Sequence, residues 1–425
     1  MGFVLVSPLL VTEISGVGSE ARAYPARLAR AKANGLDLGL KARIARETAR
    51  PADARRAFDE LEGFLRVPKR FALAKSKITP AEEETARGDL RRLGVLARQA
   101  QGGSHYDWAK GWALAFPSYH PLRESAKAAD TLSRLDADRR DWTSATQNVV
   151  DSADGWRAYG EDPITIAELV RCAVSAILFR TSGVLLSRSG YPASEARRLA
   201  AIAEGPDFAM RTSLKEILVG EVSMQVGLLD DPKTLQELTG GGMTGPSQRD
   251  FVVAARMPQV RRAWQSDALR LMNDAVAGLP NDPYDFQGAK RAVVAYDTAM
   301  SKPRGLVGRF ADVAGSVFLS GVNQAQFYRE AQRRVLIVAA GLRAGEPEAA
   351  LRARLGRFAL DPYDGRPIRV RPAHEVPFWL LVSDPGVPAS RFRAVYSIGK
   401  NGIDDGGTTG KQPAGNDIVL LIPRR

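Results

Sequence analysis

The fold is decided by three stretches near the end of the chain, Asp361-Pro-Tyr-Asp-Gly-Arg-Pro-Ile-Arg-Val370, Arg393-Ala-Val-Tyr-Ser-Ile-Gly-Lys-Asn-Gly-Ile-Asp-Asp-Gly-Gly407 and Gly415-Asn-Asp-Ile-Val-Leu-Leu421. Each contains a short run of β-forming residues, and the residues between the runs are rich in Gly, Asp, Asn and Pro. This alternation predicts an antiparallel sheet of three or four strands. The predicted strands are Ile368–Val370, Ala394–Ile398 and Ile418–Ile422.

The loop between the last two strands carries oxygen-bearing side chains among many glycines. Ca²⁺ prefers six to eight oxygen ligands from carboxylates, amides and main-chain carbonyls, and glycines let a backbone fold tightly around an ion. The pattern therefore predicts a calcium site, although Asp, Asn and Gly are also ordinary turn-forming residues. The predicted ligands are Ser397, Asn401, Asp404, Asp405, Asn416 and Asp417.

About sixty-five C-terminal residues resemble the C-terminal region of the major pseudopilin of type II secretion systems. The resemblance implies a long helix packed against a small sheet, a calcium-binding loop and an extracytoplasmic, membrane-associated setting. In this chain Asp364 lengthens the first hairpin, the loop is longer, and Asn401 stands where an Asp is common. The matching residues are Asp361, Pro362, Gly365, Pro367, Tyr396, Ser397, Gly399, Asn401, Gly402, Asp417 and Ile418.

The rest of the chain is predicted to be helical. Leu122–Leu135 and Trp142–Ala158 flank a polar turn, Asp136–Asp141, which resembles the turn of a tetratricopeptide unit. No regular repeat follows, so the sequence predicts helical hairpins and not a solenoid. The whole chain also resembles an uncharacterised group of bacterial membrane-associated proteins with such helices and a pseudopilin-like tail.

Two further predictions concern how the helices meet the tail. Gln324–Leu342 is expected to be the long helix that packs on the sheet. Asn281-Asp-Pro-Tyr-Asp285 echoes Leu360-Asp-Pro-Tyr-Asp364, but nothing around the two tetrapeptides repeats, so the echo is interpreted as coincidence.

At 425 residues, of which 44% are hydrophobic, the chain exceeds a usual single core, so two or three domains are expected. The predicted parts are a possible anchor remnant (1–19), an N-terminal helical region (20–119), a helical-hairpin domain (120–236), a Gly-rich loop (237–250), long helices (251–345) and a pseudopilin-like β module (346–425).

The N-terminal segment Gly2–Thr12 is an apolar run of about ten residues, shorter than a bilayer span, and no Lys or Arg precedes it. We interpret it as a shortened or partial anchor. Gly2-Phe3 is similar to a prepilin cleavage site, but Ser7 stands in place of the usual Glu and Pro8 is expected to interrupt the helix.

The net charge of +12 comes from arginines spread along the helices, which favours solvated helix faces over one binding stripe. A basic chain also suits nucleic acid or an anionic membrane surface. No zinc-finger pattern and no basic run interleaved with aromatic residues is present, so nucleic-acid binding is kept as an alternative function.

The sequence contains no complete catalytic motif among the patterns considered. His105, His120 and His374 lie outside any zinc-ligand motif, and no nucleophile elbow or complete phosphate loop is present. His374 beside Glu375, with the loop carboxylates, leaves a hydrolase as a second alternative. Cys172 lies in an apolar run and is interpreted as a small buried side chain.

The sequence thus predicts a mostly α-helical protein, with a tetratricopeptide-like helical-hairpin body and a small C-terminal α+β module. The expected function is that of a non-enzymatic, extracytoplasmic structural or interaction protein. Protein partners are expected to bind the helical body.

Overall fold

The structure is a computed structural model that describes residues 8–33, 45, 48–67, 70–71, 73, 78–100, 119–156, 164–205, 213–230, 257–302, 319–374, 388–408 and 417–424. Several sequence predictions lie outside these ranges. They are the predictions for Gly2–Ser7, His105, the Gly-rich loop 237–250, Glu375 and Asn416.

Helices form most of the described chain, as predicted. They are α1 (Pro8–Ala33), α2 (Ala52–Leu65), α3 (Pro80–Ala100), α4 (His120–Asp138), α5 (Trp142–Gly155), α6 (Thr165–Ser187), α7 (Ala193–Glu204), α8 (Leu214–Asp230), α9 (Pro258–Gly278), α10 (Phe286–Ser301), α11 (Leu319–Ala344) and α12 (Glu348–Leu355).

The predicted helical hairpin is confirmed in α4 and α5. Helix α4 ends in a Schellman motif, in which the N–H of Asp141 donates to the carbonyl of Asp136 at 2.9 Å and the N–H of Arg140 to that of Ala137 at 3.1 Å. The Asp141 side chain then caps α5 by accepting from the N–H of Ser144. One residue, Asp141, thus closes one helix and opens the next.

The predicted C-terminal sheet is also confirmed. Its strands are β1 (Arg369–Pro372), β2 (Phe392–Ser397) and β3 (Ile418–Pro423), antiparallel in the order β1-β2-β3. Val370, Val395 and Leu420 are partners across the three strands. Helix α11 contacts β2 and β3, which confirms the prediction that Gln324–Leu342 packs on the sheet.

Helix α11 joins two hydrophobic cores. Its first turn, with Leu319 and Val322, lies in a core formed by α1, α8, α9 and α10. From Ala331 onward it lies in a larger core with helices α2 to α7. One face of the sheet, including Val395 and Leu420, belongs to this same larger core, so the core extends across the predicted boundary at residue 345.

Charged residues of α11 are buried with their partners. Glu330 accepts hydrogen bonds from Arg333 at 2.9 Å and Arg334 at 2.7 Å, and all three are less than 5% exposed. A second buried acid, Glu168 of α6, pairs with Arg171 and with Arg329 of α11. A buried charge without a partner is strongly destabilising, so these pairs hold α11 in one position.

The arginines of α11 also satisfy backbone carbonyls at helix ends. Arg333 donates to the carbonyl of Ala203 at the end of α7, at 2.8 Å. Arg334 donates to the carbonyls of Arg357 and Leu360, just before the sheet. The same side chains therefore link the helical body to the C-terminal module.

Helix α1 is described from Pro8 to Ala33. The residues before Pro8 lie outside the described ranges, so the expected interruption at Pro8 stays a prediction. The helix packs along α9, where Arg27 donates to the carbonyl of Ser266 and accepts at its own carbonyl from Asn273.

In the described part of the chain, one helix is long and apolar enough to cross a membrane. This is α6, Thr165–Ser187, and 67% of its most apolar window is buried inside the protein.

Replacing Glu330 by Gln tests the role of the buried charges. The variant keeps the shape of the side chain but leaves Arg333 and Arg334 without a counter-charge, so we expect the free energy of unfolding to fall by about 3–5 kcal/mol. Chemical denaturation measures the change. Glu204→Gln is the control, because Glu204 pairs with Arg354 at the surface and its loss should cost less than about 1 kcal/mol.

Candidate functional site

The predicted acidic loop is organised around Asp361, which lies at the hairpin before β1. Asp361 is 1% exposed and accepts hydrogen bonds from the Ser397 hydroxyl, the Ile398 N–H and Arg369. Burial raises the pKa of Asp361, and the hydrogen bonds oppose that rise. Ser397, a predicted calcium ligand, therefore donates its hydroxyl hydrogen to a carboxylate at 2.9 Å.

The Asp404 carboxylate contacts two arginines and the hydroxyl of a tyrosine. Its carboxylate accepts from the Tyr396 hydroxyl at 2.9 Å and lies 3.3 Å from guanidinium nitrogens of both Arg369 and Arg371. Burial alone would raise the pKa of Asp404, but hydrogen bonds from Gly406 and Tyr396 and the two arginines bring it below its usual value. Burial, together with the hydrogen bond to Asp404, raises the pKa of Tyr396 to about 12.

Asn401 and Asp405 form the outer part of the loop. The amide of Asn401 donates to Asp405 at 3.0 Å, and its oxygen accepts from the N–H of Ile403. Gly407 is needed at the base of the loop, because its φ is +83° and a Cβ there would lie 3.1 Å from the Tyr396 ring.

Asp417 lies at the base of the loop and is 4% exposed. One carboxylate oxygen accepts from the N–H of Gly407 at 2.7 Å, and the other has no hydrogen-bond partner among the described residues. Burial, with repulsion from Asp405 and Asp404, raises the pKa of Asp417 to about 6. An unpartnered buried oxygen is costly, which makes Asp417 the strained residue of the loop.

The described residues match the predicted calcium site only in part. They contain no group of three or more His, Cys, Asp or Glu placed to hold a metal ion. Asp404 faces two arginines, which would compete with a cation, whereas the free oxygen of Asp417 suits one. Asn416 lies outside the described residues, and calcium binding stays a prediction.

His374, the histidine of the hydrolase alternative, is exposed beside Gly406, and no described metal-type cluster includes it. Cys172 is not part of that alternative. It donates to Glu168, and burial, with repulsion from Glu168, raises the pKa of its thiol to about 12. A thiol with so high a pKa is a poor nucleophile at neutral pH.

A groove that the sequence analysis missed lies where the helical body meets the sheet. Its volume is about 790 Å³, and it is bordered by the α4–α5 turn, the end of α6, the end of α11 and strands β2 and β3. Among the described residues, five arginines line it against one acidic residue, Asp138. The arginines are Arg140, Arg188, Arg343, Arg391 and Arg424.

Three of these arginines are fixed by contacts to the protein. Arg343 donates to the carbonyls of Arg188, Ser189 and Tyr191 at 2.7–3.0 Å. Arg188 pairs with Asp138 at 2.9 Å, and Arg424 donates to the carbonyl of Phe392 at 3.1 Å. Backbone carbonyls do not neutralise a guanidinium, so the groove keeps a positive charge.

Arg140 and Arg391 are exposed, and neither side chain pairs with a carboxylate among the described residues. Arg140 occupies the left-handed position of the Schellman motif, with φ of +62°, which glycine usually takes. It is the one non-glycine residue with positive φ in the described ranges. A strained arginine in a basic groove points to a binding role.

The groove continues into a second hollow of about 450 Å³ along the sheet. The two hollows share Arg343, Pro423 and Arg424, and the second adds Arg371 and Arg393. Arg393 pairs with Glu348 at 3.0 Å, and Arg371 pairs with Asp404. The groove is therefore elongated, and its unpaired arginines among the described residues, Arg140 and Arg391, lie in the larger hollow.

The two Asp-Pro-Tyr-Asp tetrapeptides, interpreted as a coincidence, share a structure and a location. In each the first Asp accepts from the N–H of the Tyr two residues later, at 3.0 Å. Tyr284 and Tyr363 both pack against the cluster of Phe286 and Phe327. The Gln287 amide donates to the carbonyl of Tyr363, which joins the two turns.

No protein-family model matches this chain, and no curated protein or solved structure matches it either. Function is therefore inferred from the geometry of the site.

Replacing Asp417 by Asn tests the strain in the loop. Asp417 binds a proton more readily in the folded than in the unfolded chain, so its contribution makes stability fall as pH rises from about 4 to about 6. We expect Asp417→Asn to weaken this fall and to stabilise the protein at pH 7 by roughly 1–3 kcal/mol. Thermal unfolding across this pH range measures it. An unchanged pH profile would show that Asp417 is not strained.

Proposed function

We propose that this protein is a non-enzymatic interaction protein, in which a helical body holds a small sheet in place and a protein partner docks in the arginine-lined groove between them. The observation that carries the proposal is the composition of the groove. In the part of the chain that the structure describes, five arginines from separate segments meet there against one aspartate.

The chemistry of the groove suits binding better than catalysis. Guanidinium groups stay protonated and do not transfer protons at ordinary pH, but they recognise carboxylates and phosphates through paired hydrogen bonds. Arg343 is fixed by three carbonyls and Arg188 by Asp138, so these two side chains lose little entropy on binding. This part of the groove is therefore ordered before a partner arrives.

The proposal includes an extracytoplasmic, membrane-associated setting. Support comes from the arrangement of the C-terminal module, because the resemblance to pseudopilins implies a long helix packed on a small antiparallel sheet, and α11 packs on β2 and β3 in this way. In this setting the groove faces partners of the cell envelope, and the acidic loop is the place where calcium would bind.

Site-specific photo-crosslinking tests the proposal. A photoreactive amino acid replaces Ser189, which is exposed in the groove, or Lys290, which is exposed on α10. Both proteins are illuminated with a cell-envelope fraction. We expect discrete protein adducts from position 189, and we expect them to disappear when Arg140 and Arg391 are also replaced.

Equal adduct patterns from positions 189 and 290 would contradict the proposal. So would adducts from position 189 that persist without the two arginines, because the groove charge would then play no part in docking.

A further inference from the structure

We infer that the occupant of the groove is an extended acidic segment of a partner polypeptide, with spaced carboxylates that pair with Arg140 and Arg391. This inference rests on the proposed function and adds the chemical class of the partner. Four properties of the groove lead to it: its size, its free guanidinium groups, its aromatic residues and its own acidic residues.

The size of the groove excludes a small inorganic anion as a matching ligand. A water molecule takes roughly 30 Å³ of liquid volume, whereas the larger hollow alone measures about 790 Å³. Because the second hollow shares three residues with the first, the occupied path runs from the α4–α5 turn along the sheet to β1. Such a path fits an extended chain.

The free guanidinium groups set the charge pattern of the occupant. Protein oxygens already pair with Arg188, Arg343 and Arg424. The guanidinium groups left for a ligand are therefore those of Arg140 and Arg391. These two come from different walls of the groove, the helical turn and the segment before β2. A matching ligand needs separated carboxylates, with neutral residues between them.

The aromatic residues of the groove argue against a nucleic-acid strand. Single strands bind to basic grooves by stacking bases on free aromatic faces. The ring of Trp142 lies edge-to-face with Tyr191, 5.8 Å between centroids, and packs beside Gly190. Phe392 is 5% exposed. Of the two aromatic residues described in the groove lining, Phe392 is buried and Trp142 is half-buried against Tyr191, so the groove has no row of free rings on which successive bases could stack.

The acidic residues near the groove also argue against a nucleic-acid strand. The Asp138 side chain is 63% exposed in the groove, and Glu348 and Asp404 lie beside the second hollow through their arginine pairs. A phosphodiester chain carries a negative charge at every nucleotide and would meet these carboxylates. A polypeptide can place neutral residues opposite them and its acidic residues opposite the free arginines.

Fluorescence anisotropy with a labelled synthetic peptide tests the inference. The probe is a short peptide with glutamates separated by leucine and glycine, and its controls are the same peptide with glutamine and an oligothymidylate of equal charge. The groove variant is Arg140→Gly with Arg391→Ser. Glycine suits the positive φ at position 140, so this variant should fold.

The matched control variant is Lys290→Ser with Arg291→Ser, which removes the same charge from the exposed surface of α10. We expect the glutamate peptide to bind the unmodified protein and the control variant equally, and to bind the groove variant at least about tenfold more weakly. The glutamine peptide should not bind. Thermal melting verifies that both variants are folded.

Equally weak binding of the glutamate peptide to both double variants would overturn the inference, because binding would then depend on the net charge of the protein and not on the groove. Groove-dependent binding of the oligothymidylate that exceeds binding of the peptide would overturn it in favour of nucleic acid. Failure of the glutamate peptide to bind, while groove crosslinks to envelope proteins persist, would overturn the acidic class and leave the proposed function standing.

Discussion

The pairing of Glu330 with Arg333 and Arg334 is the interaction on which the rest of the structure depends. A helix with so many charged residues can lie in the centre of a protein only if each charge has a partner. Glu330 is the carboxylate partner of two arginines, Arg333 and Arg334. Those arginines also donate to the carbonyls of Ala203, Arg357 and Leu360. The pairing thus fixes α11 to the helical body on one side and to the C-terminal module on the other.

The groove follows from this constraint. The sheet lies against α11 and α6, and its strand ends meet the α4–α5 turn. Arg343, at the end of α11, holds the segment after α6 through three carbonyls. Since the walls come from distant parts of the chain, a binding surface of this kind exists only while the module and the body stay together. The inferred partner site is therefore a consequence of the central helix.

Much of the fold was predictable from the sequence because local patterns specify it. The β-forming runs and Gly-Asp turns predicted all three strands, and the apolar segment Val335–Ala340 pointed to the buried helix. The groove was not predictable, because its arginines are separated by up to hundreds of residues and only tertiary packing brings them together. One signal existed: Arg140 lies between two predicted helices, where a left-handed residue is common. The loop prediction located Asp417 but not the arginines that hold Asp404.

Native-state hydrogen exchange tests whether α11 and the sheet form one cooperative unit. Amides of Val395 and Leu420 in the sheet are compared with those of Val335 and Val338 in the middle of α11. If they form one unit, both sets of amides open with the same free energy, close to that of global unfolding. Exchange of the sheet amides at a much lower free energy, with α11 still protected, would contradict a single cooperative unit.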